Sequence, residues 1–165
     1  GPTHLTAEHS LINLVRVTSA EEMYKACHEH YGWADAAVAA AAVADYRPKD
    51  VASQKIKKTE SEFTLTLEKT KDILSSLGEI KGERFLVGFA LETENEIENA
   101  KLKIRKKNLD LIILNSLNDE GAGFGKATNK VTFIDKDFNI EAHNLKSKEE
   151  VAEDIINKIK SRYHV

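Results

Sequence analysis

Apolar runs of strand length alternate with helical patterns through the middle of this 165-residue chain. Residues 85–90 and 109–114 are short, mainly apolar runs, the second interrupted by Asp110, and they predict two buried strands. Between them, residues 94–107 place Ala100 and Ile104 on one face at helical spacing. Strands and helices that alternate in this way form a parallel sheet with helices on its faces. The sequence therefore predicts an α/β fold with a mostly parallel sheet.

The amino-terminal part of the chain is predicted to hold a strand, a helix and a second strand. Residues 11–17 are rich in Leu, Ile and Val and alternate in part, which indicates a half-buried strand. A helix should follow, because Ser19 and Glu22 have the spacing of a capping box, and Gly32 should end it. The alanine-rich residues 34–43 have high helix propensity, but turn-like segments bound them on both sides. We interpret them as a buried parallel strand.

Further elements complete the predicted domain. Residues 63–67 alternate as a strand should, residues 71–77 have helical spacing, and residues 131–135 and 138–142 suit a hairpin. Another capping box opens the last helix, whose predicted inner face holds Val151, Ile155, Ile156 and Ile159. We expect residues 1–165 to form a single Rossmann-like, three-layer domain with a mostly parallel sheet and an additional antiparallel hairpin or flap.

Charge and cysteine content argue against several classes of protein. The net charge of −3 disfavours general nucleic-acid binding, because contact with a phosphate backbone needs a surplus of Lys and Arg. The single cysteine, Cys27, cannot form an internal disulfide, which favours a reducing, cytoplasmic setting. No apolar stretch approaches the roughly 20 residues of a transmembrane helix, and no secretion signal is recognisable.

Polar and aromatic residues follow or end several predicted strands. Asp45, the pair Gly88 and Phe89, and Asn115 occupy such positions. In open parallel sheets, ligands bind beyond the carboxyl ends of the strands. These residues are therefore candidates for one binding site, although a turn-capping Asp and a core Phe are the simpler interpretations. Neither a Walker phosphate loop nor a G-x-G-x-x-G turn is present.

Lysines could supply the positive charge for a phosphate ligand. Lys55 begins a KIKK run that ends at Lys58, and a solvated loop or a protected edge strand is the alternative interpretation. Lys103 and Lys107 are spaced i, i+4 on a predicted helix, where an exposed basic face would look the same. Asp72 should lie in the first turn of a helix, which favours an acid whatever its function. No metal site is predicted.

Several blocks together resemble the phosphopantothenoylcysteine synthetase family. They are AAAVADYRP at residues 40–48, KIKK at 55–58, Asp72-Ile73-Leu74, and VGFALET at 87–93, in the order in which the family has them. Residues 101–110 and 115–131 continue the resemblance, so that it covers nearly the whole chain.

This resemblance implies a ligase that joins 4′-phosphopantothenate to cysteine, using CTP and Mg²⁺ and passing through an acyl-cytidylate. It implies that Asp45 holds the nucleoside and that Lys55 meets the triphosphate as the catalytic lysine. Further expected nucleotide contacts are Ala39, Ala40, Ala41, Lys71, Asp72, Ile73, Leu74, Phe89, Lys103 and Lys107. Asn115 and Phe124 are expected at the substrate or in a flap. The family also implies a homodimer and a fused or associated flavin-dependent decarboxylase.

The chain departs from the family pattern in two places. A first strand, a glycine-rich turn and a segment resembling Ser-Asn-Arg-Ser-Ser-Gly are expected before residue 1, and Thr70-Lys71 replaces the usual Asn-Pro. A catalytically incomplete CTP-binding fragment therefore stays open as an alternative, as does a dimerisation domain with residues 115–142 as an intersubunit arm. The residues also leave open whether the nucleotide is CTP or ATP.

Overall fold

A computed structural model describes residues 6–57, 62–116 and 127–163. The chain divides into two compact units, one formed from Gly1–Glu29 with Ala41–Ile73 and the other from His30–Ala40 with Leu74–Val165. We call them unit 1 and unit 2, and each is described by itself.

The described residues contain four helices and nine strands, several of them short. In chain order these are α1 (Ala20–Tyr31), β1 (Ala36–Ala39), β2 (Tyr46–Pro48), β3 (Leu67–Lys69), α2 (Ile73–Glu79), β4 (Phe85–Glu92), α3 (Glu96–Lys107), β5 (Leu111–Ser116), β6 (Thr128–Asn129), β7 (Val131–Asp135), β8 (Ile140–Ala142), β9 (Lys146–Ser147) and α4 (Lys148–Tyr163).

A five-stranded sheet in the order β1-β4-β5-β7-β8 forms the centre of unit 2. β1, β4 and β5 are parallel, whereas β7 and β8 are antiparallel to their neighbours. β6 pairs separately with β9, just before α4 begins. The mostly parallel α/β fold and the hairpin of β7 and β8 confirm the architecture predicted from the sequence.

The two faces of this sheet are covered by different helices. One face carries the alternating residues Val87, Ile113 and Phe133, which pack with Val151 and Ile155 of α4 in a single hydrophobic cluster. On the other face α3 packs against β4 and β5, with its own Ala100 and Ile104 buried. Each fully buried side chain of this size contributes about 1.5–3 kcal/mol to folding. Packing of the helices on both faces of the sheet therefore stabilises unit 2.

Gly78 and Gly88 allow helices to approach closely in unit 2. A Cβ added to Gly78 would lie 2.0 Å from the backbone oxygen of Lys107, so only glycine fits where α2 meets the end of α3. A Cβ on Gly88 would lie 2.7 Å from a methyl carbon of Leu74, which packs over the bare backbone of β4.

Unit 1 contains a two-stranded sheet and several polar contacts. β2 and β3 pair antiparallel, with a 2.8 Å ion pair between Arg47 and Glu68 across them. The Lys49 amide extends this ladder by donating to the carbonyl oxygen of Thr66. The side chains of β2 are exposed, as are Leu67 and Lys69 of β3.

Both predicted capping boxes are confirmed. The Glu22 carboxylate accepts hydrogen bonds from the Thr18 and Ser19 amides, and the Glu22 amide donates to the Ser19 hydroxyl. At α4, the Glu150 carboxylate accepts from the Ser147 amide at 2.8 Å, and the Glu150 amide donates to the Ser147 hydroxyl at 3.1 Å. These bonds hold the pKa of Glu22 and of Glu150 below the ordinary glutamate value.

Some predicted elements are wrong in extent or burial. Residues 11–17 form no strand in the described chain, and Leu11 is 88% exposed, because an alternating pattern makes a strand only where a neighbouring strand pairs with it. The alanine-rich segment is a parallel strand only over β1, at the edge of the described sheet, so Val38 is 42% exposed. Only Leu67 of residues 63–67 lies in a strand, and Ile156 is exposed on α4.

No helix in the described ranges is both long and apolar enough to cross a membrane.

Candidate functional site

The carboxyl ends of three parallel strands lie along one edge of the sheet in unit 2. Ala39 at the end of β1 pairs in register with Gly88, and Leu91 and Glu92 of β4 pair with Asn115 and Ser116 of β5. This is the edge where ligands of open α/β sheets bind. The structure therefore brings Ala39, Phe89 and Asn115 to neighbouring strands near the predicted edge.

Gly88 and Phe89 lie inside β4 and do not follow it, which corrects their predicted placement. Phe89 is half-buried and packs against the hydrophobic cluster under α4. Much of its ring is thus core, as the simpler interpretation expected, and its contact with a nucleotide stays a prediction.

Asn115 is the second-last residue of β5 and is held by a second asparagine. It continues the alternation of Leu111 and Ile113, so its side chain lies on the α4 face of the sheet. Asn129 Nδ2 donates to Asn115 Oδ1 at 3.2 Å. Asn129 was not among the predicted site residues, although its position two residues before β7 gives it the same alternation as Val131 and Phe133.

Lys103 reaches the same edge from α3. Its ammonium forms an ion pair of 2.5 Å with Glu92, whose carboxylate also accepts a hydrogen bond from Asn99. The Lys103 side chain is 43% exposed and that of Glu92 13% exposed, so the charge pair is accessible from the lysine side. A phosphate that binds Lys103 must share its charge with Glu92, a partner that sequence reasoning missed.

Lys107 is the last residue of α3, one turn beyond Lys103. Its side chain is half-buried, and its carbonyl oxygen lies against Gly78. The i, i+4 spacing places it on the same helix face as Lys103, as predicted.

In unit 1, Asp45 precedes β2 and does not follow directly on β1, which ends at Ala39. Its backbone is held by Thr70: the Thr70 amide donates to the Asp45 carbonyl oxygen at 2.9 Å, and the Thr70 hydroxyl donates to the Ala44 oxygen at 2.5 Å. The Asp45 side chain itself is exposed. Thr70 therefore fixes the backbone of a predicted site residue.

Lys71 contacts α1 within unit 1. Its ammonium donates to Glu21 at 3.0 Å and lies 4.4 Å from the centroid of the Tyr24 ring. The hydrogen bond from Lys71 holds the pKa of Glu21 below its usual value. The Lys71 side chain is thus engaged within unit 1, and its contact with a nucleotide stays a prediction.

The remaining predicted residues vary in exposure. Ala40, Ala41, Lys55 and Asp72 are exposed, Ile73 is buried at the start of α2, and Leu74 is half-buried over Gly88. Phe124 and Lys58 lie outside the described residues. Since the candidates divide between two units, their convergence on one ligand stays a prediction.

Within the described ranges, no three or more His, Cys, Asp or Glu side chains are grouped so that they could hold a metal ion. The side chains described here therefore do not fit a protein cage for Mg²⁺.

Comparisons with known proteins match almost the entire chain. The family model described as the DNA/pantothenate metabolism flavoprotein C-terminal domain matches residues 1–163. A "cysteine/cysteine sulfinic acid decarboxylase" from an unknown prokaryotic organism is 48% identical over 165 residues, which are 99% of this chain and 46% of that protein. The coenzyme A biosynthesis bifunctional protein CoaBC of Bacillus subtilis (strain 168) is 42% identical over 159 residues, covering 96% of this chain and 39% of that protein.

A solved structure agrees with these relatives. The crystal structure of the C-terminal domain of a coenzyme A biosynthesis bifunctional protein CoaBC superposes with a TM-score of 0.79 at 36% identity, covering 99% of this chain and 71% of that chain. The chain spans less than half the length of the two curated relatives named above. By the match over residues 1–163, it belongs to the DNA/pantothenate metabolism flavoprotein C-terminal domain family.

Proposed function

We propose that this chain is the ligase domain that joins 4′-phosphopantothenate to cysteine in coenzyme A biosynthesis, with CTP as the activating nucleotide. The observation that carries the proposal is the family match over residues 1–163, together with relatives named for coenzyme A biosynthesis. The strand ends of unit 2, with Asn115 and the pair of Lys103 and Glu92, provide polar groups suited to a phosphate ligand at the edge where such folds bind ligands.

The proposed reaction has two halves. An oxygen of the phosphopantothenate carboxylate attacks the α-phosphorus of CTP, the bond to the β-phosphate oxygen breaks, and pyrophosphate leaves. The cysteine amine then attacks the acyl carbon, the C–N bond forms, the bond from carbon to the phosphate oxygen breaks, and CMP leaves as the nitrogen loses a proton. Both steps move negative charge between oxygens, so positioning and charge neutralisation dominate catalysis.

Each named residue has a role in binding or neutralising these groups. In the proposal Lys55, Lys103 and Lys107 meet the triphosphate, and Asp45 accepts hydrogen bonds from the nucleoside. Ala39, Ala40 and Ala41 and the backbone of residues 71–74 contact the nucleotide, and Phe89 lies against it. Asn115 contacts the substrate or belongs to a flap. Lys55 is exposed and forms no ion pair with another described residue, so no partner in that part of the chain competes with a phosphate for it.

Magnesium enters the proposal only as part of the nucleotide substrate. Mg²⁺ keeps several waters and is commonly bound by substrate phosphates, so a complex of Mg²⁺ with CTP needs no protein cage. We assign no described side chain as its ligand.

The proposed partners follow from the relatives and the family. One relative is named a bifunctional protein and another a decarboxylase, and the chain spans less than half of each. This supports a flavin-dependent decarboxylase as a fused or associated partner. A homodimer of the ligase domain is part of the same proposal.

Product release tests the proposal directly. The chain is incubated with CTP, Mg²⁺ and 4′-phosphopantothenate, and pyrophosphate and CMP are quantified before and after cysteine is added, with ATP in parallel. We expect pyrophosphate to depend on phosphopantothenate and CMP to rise when cysteine is added. CTP binding by calorimetry without product would support the incomplete-fragment alternative, and absence of any binding would support a dimerisation module.

A further inference from the structure

Asn129 is a buried amide that uses only part of its hydrogen-bonding capacity. Its side chain is 7% exposed, and its Oδ1 has no hydrogen-bond donor in the part of the chain that the structure describes. A buried acceptor without a donor costs free energy that an apolar side chain of similar size would not. Because this cost offsets what the bond to Asn115 contributes, the asparagine adds little net stability, which indicates that it serves another role.

The hydrogen bond from Asn129 fixes the orientation of Asn115. An asparagine side chain has one carbonyl oxygen and one NH₂ group with two donors. Because Asn129 Nδ2 donates to the Asn115 oxygen at 3.2 Å, the Asn115 NH₂ group is directed away from Asn129. Asn115 is the second-last residue of β5, and with its oxygen engaged it keeps two N–H donors that could serve a negatively charged oxygen.

The backbone of Asn129 is held firmly enough to act as a support. Asn129 pairs with Lys146 of β9, and the Lys148 amide donates to the Ala127 carbonyl oxygen at 3.0 Å. Two residues further on, Val131 pairs with Asn115 itself in the ladder of β5 and β7. The two asparagines are therefore tied through both backbone and side chain.

We propose that Asn129 is a positioning residue for the nucleotide. It locks the Asn115 amide so that its NH₂ donors face the phosphate oxygens of CTP and of the acyl-cytidylate. This inference rests on the proposed function, because it assigns the ligand of Asn115.

The test compares Asn129→Leu with Asn115→Leu, the double variant and the unaltered chain. Asn139→Leu is the control, since Asn139 lies in the turn between β7 and β8 and hydrogen bonds to Asp135 at the opposite edge of the sheet. The measurements are the melting temperature, the Kd for CTP by calorimetry, and kcat/KM for CMP release.

We expect Asn129→Leu to change the melting temperature little, because leucine removes the unpaired Oδ1 but also the bond to Asn115. CTP affinity and kcat/KM should fall roughly tenfold or more, as misplacement of a binding group does. Asn115→Leu should lose a similar factor, and the double variant should lose little more, because one residue acts through the other. Asn139→Leu should leave CTP affinity unchanged.

Four results would overturn the inference. CTP affinity and kcat/KM could stay unchanged in Asn129→Leu and fall in Asn115→Leu. That result would exclude a positioning role for Asn129 and would not contradict the proposed function. Losses that add in the double variant, or a fall in melting temperature that accounts for lost activity, would make Asn129 structural. An unaltered chain that neither binds nor turns over CTP would end the proposed function and this inference with it. If the unaltered chain binds CTP without turnover, the Kd values of the variants alone test whether Asn129 positions Asn115.

Discussion

Unit 1 and unit 2 hold their candidate site residues by different means. In the described chain, the buried hydrophobic side chains belong to unit 2 apart from Ile73. Phe89, Lys103 and Asn115 stand on strands and a helix that enclose this core. Asp45 and Lys71 are instead held by hydrogen bonds and an ion pair in exposed surroundings. Close packing of the core therefore holds the candidates of unit 2 in place. The candidates of unit 1 depend on exposed polar contacts, each of which contributes little to stability.

The largest expected difference between the units comes from removing an aromatic ring. Phe133→Ala in unit 2 removes a side chain that is 2% exposed, so we expect a loss of about 3–5 kcal/mol in the free energy of unfolding. Phe63→Ala in unit 1 removes a ring that is 70% exposed and should change it by less than about 0.5 kcal/mol. Urea denaturation measures both, and comparable losses would show that Phe63 is buried in solution.

Close backbone packing in unit 2 gives the next effect. The new Cβ in Gly78→Ala must push away the Lys107 oxygen. Overpacking of this kind lowers the free energy of unfolding by about 1–3 kcal/mol. The higher helix propensity of alanine returns roughly 1 kcal/mol of that loss. Gly32→Ala is the matched control, because a Cβ there meets nothing within 4 Å. It should be neutral or stabilising by about 0.4–1 kcal/mol. Equal melting temperatures for the two variants would contradict the close approach of α2 and α3.

Thr70→Val tests whether a single hydroxyl supports Asp45 in unit 1. Loss of the hydrogen bond to the Ala44 oxygen should lower the free energy of unfolding by only about 0.5–1.5 kcal/mol, because that oxygen can accept a hydrogen bond from water instead. CTP affinity should fall more clearly than stability, since the residue before Asp45 is no longer held. Thr66→Val is the control, because Thr66 contributes only its backbone oxygen to the ladder. Calorimetric Kd values that match in both variants would remove Thr70 from the site.

Acid should weaken one turn of unit 2 through Asp135. Partial burial raises the pKa of Asp135, but hydrogen bonds from the Asn139 side chain and from the Asn139 and Asp137 amides outweigh it and hold the pKa below the ordinary value. A carboxylate with a lowered pKa stabilises the fold above its unfolded pKa of about 3.9, and this contribution is lost as pH falls through the folded pKa. Asp135→Asn should therefore melt below the unaltered chain at pH 7.

The difference in melting temperature between Asp135→Asn and the unaltered chain should shrink as the pH is lowered below about 4. Asp137→Asn is the control in the same turn, because its carboxylate makes no hydrogen bond within the described residues. A melting-temperature difference that stays constant from pH 7 to pH 3 would show that the hydrogen bonds to Asp135 do not favour its charged form over its neutral form.

The contrast between the units also explains what could be predicted from the sequence. Mainly apolar runs and capping boxes are local signals, so β4, β5, α1 and α4 were predicted with small errors in their ends. Residues 11–17 and 63–67 have the alternation of strands, but pairing is a long-range property that their pattern does not contain. The bond between Asn115 and Asn129 joins residues 14 positions apart, and the shared alternation around β5 and β7 was the one available signal.

Site chemistry was less predictable than the fold for the same reason. Lysine spacing identified Lys103, but the Glu92 partner that neutralises it comes from another element. The motif that resembles the family identified Asp45, whereas its support by Thr70 depends on a contact across 25 residues of chain. Residue types that suit a ligand can be read from sequence, and their partners depend on packing.

The smallest expected effect on stability belongs to Lys55→Ala. Lys55 is exposed in unit 1, and removing a solvated charge should change the free energy of unfolding by less than about 0.5 kcal/mol. If Lys55 meets the triphosphate, CTP affinity should nonetheless fall, and it should fall less for CMP, which lacks the β- and γ-phosphates. Lys57→Ala is the matched control, since Lys57 is also exposed two residues away and in an extended segment would point the same way. Equal losses in both variants would indicate general electrostatic attraction by the KIKK run, because a specific contact would single out Lys55. A large drop in the melting temperature of Lys55→Ala without nucleotide would instead mean that polar contacts in unit 1 include this lysine.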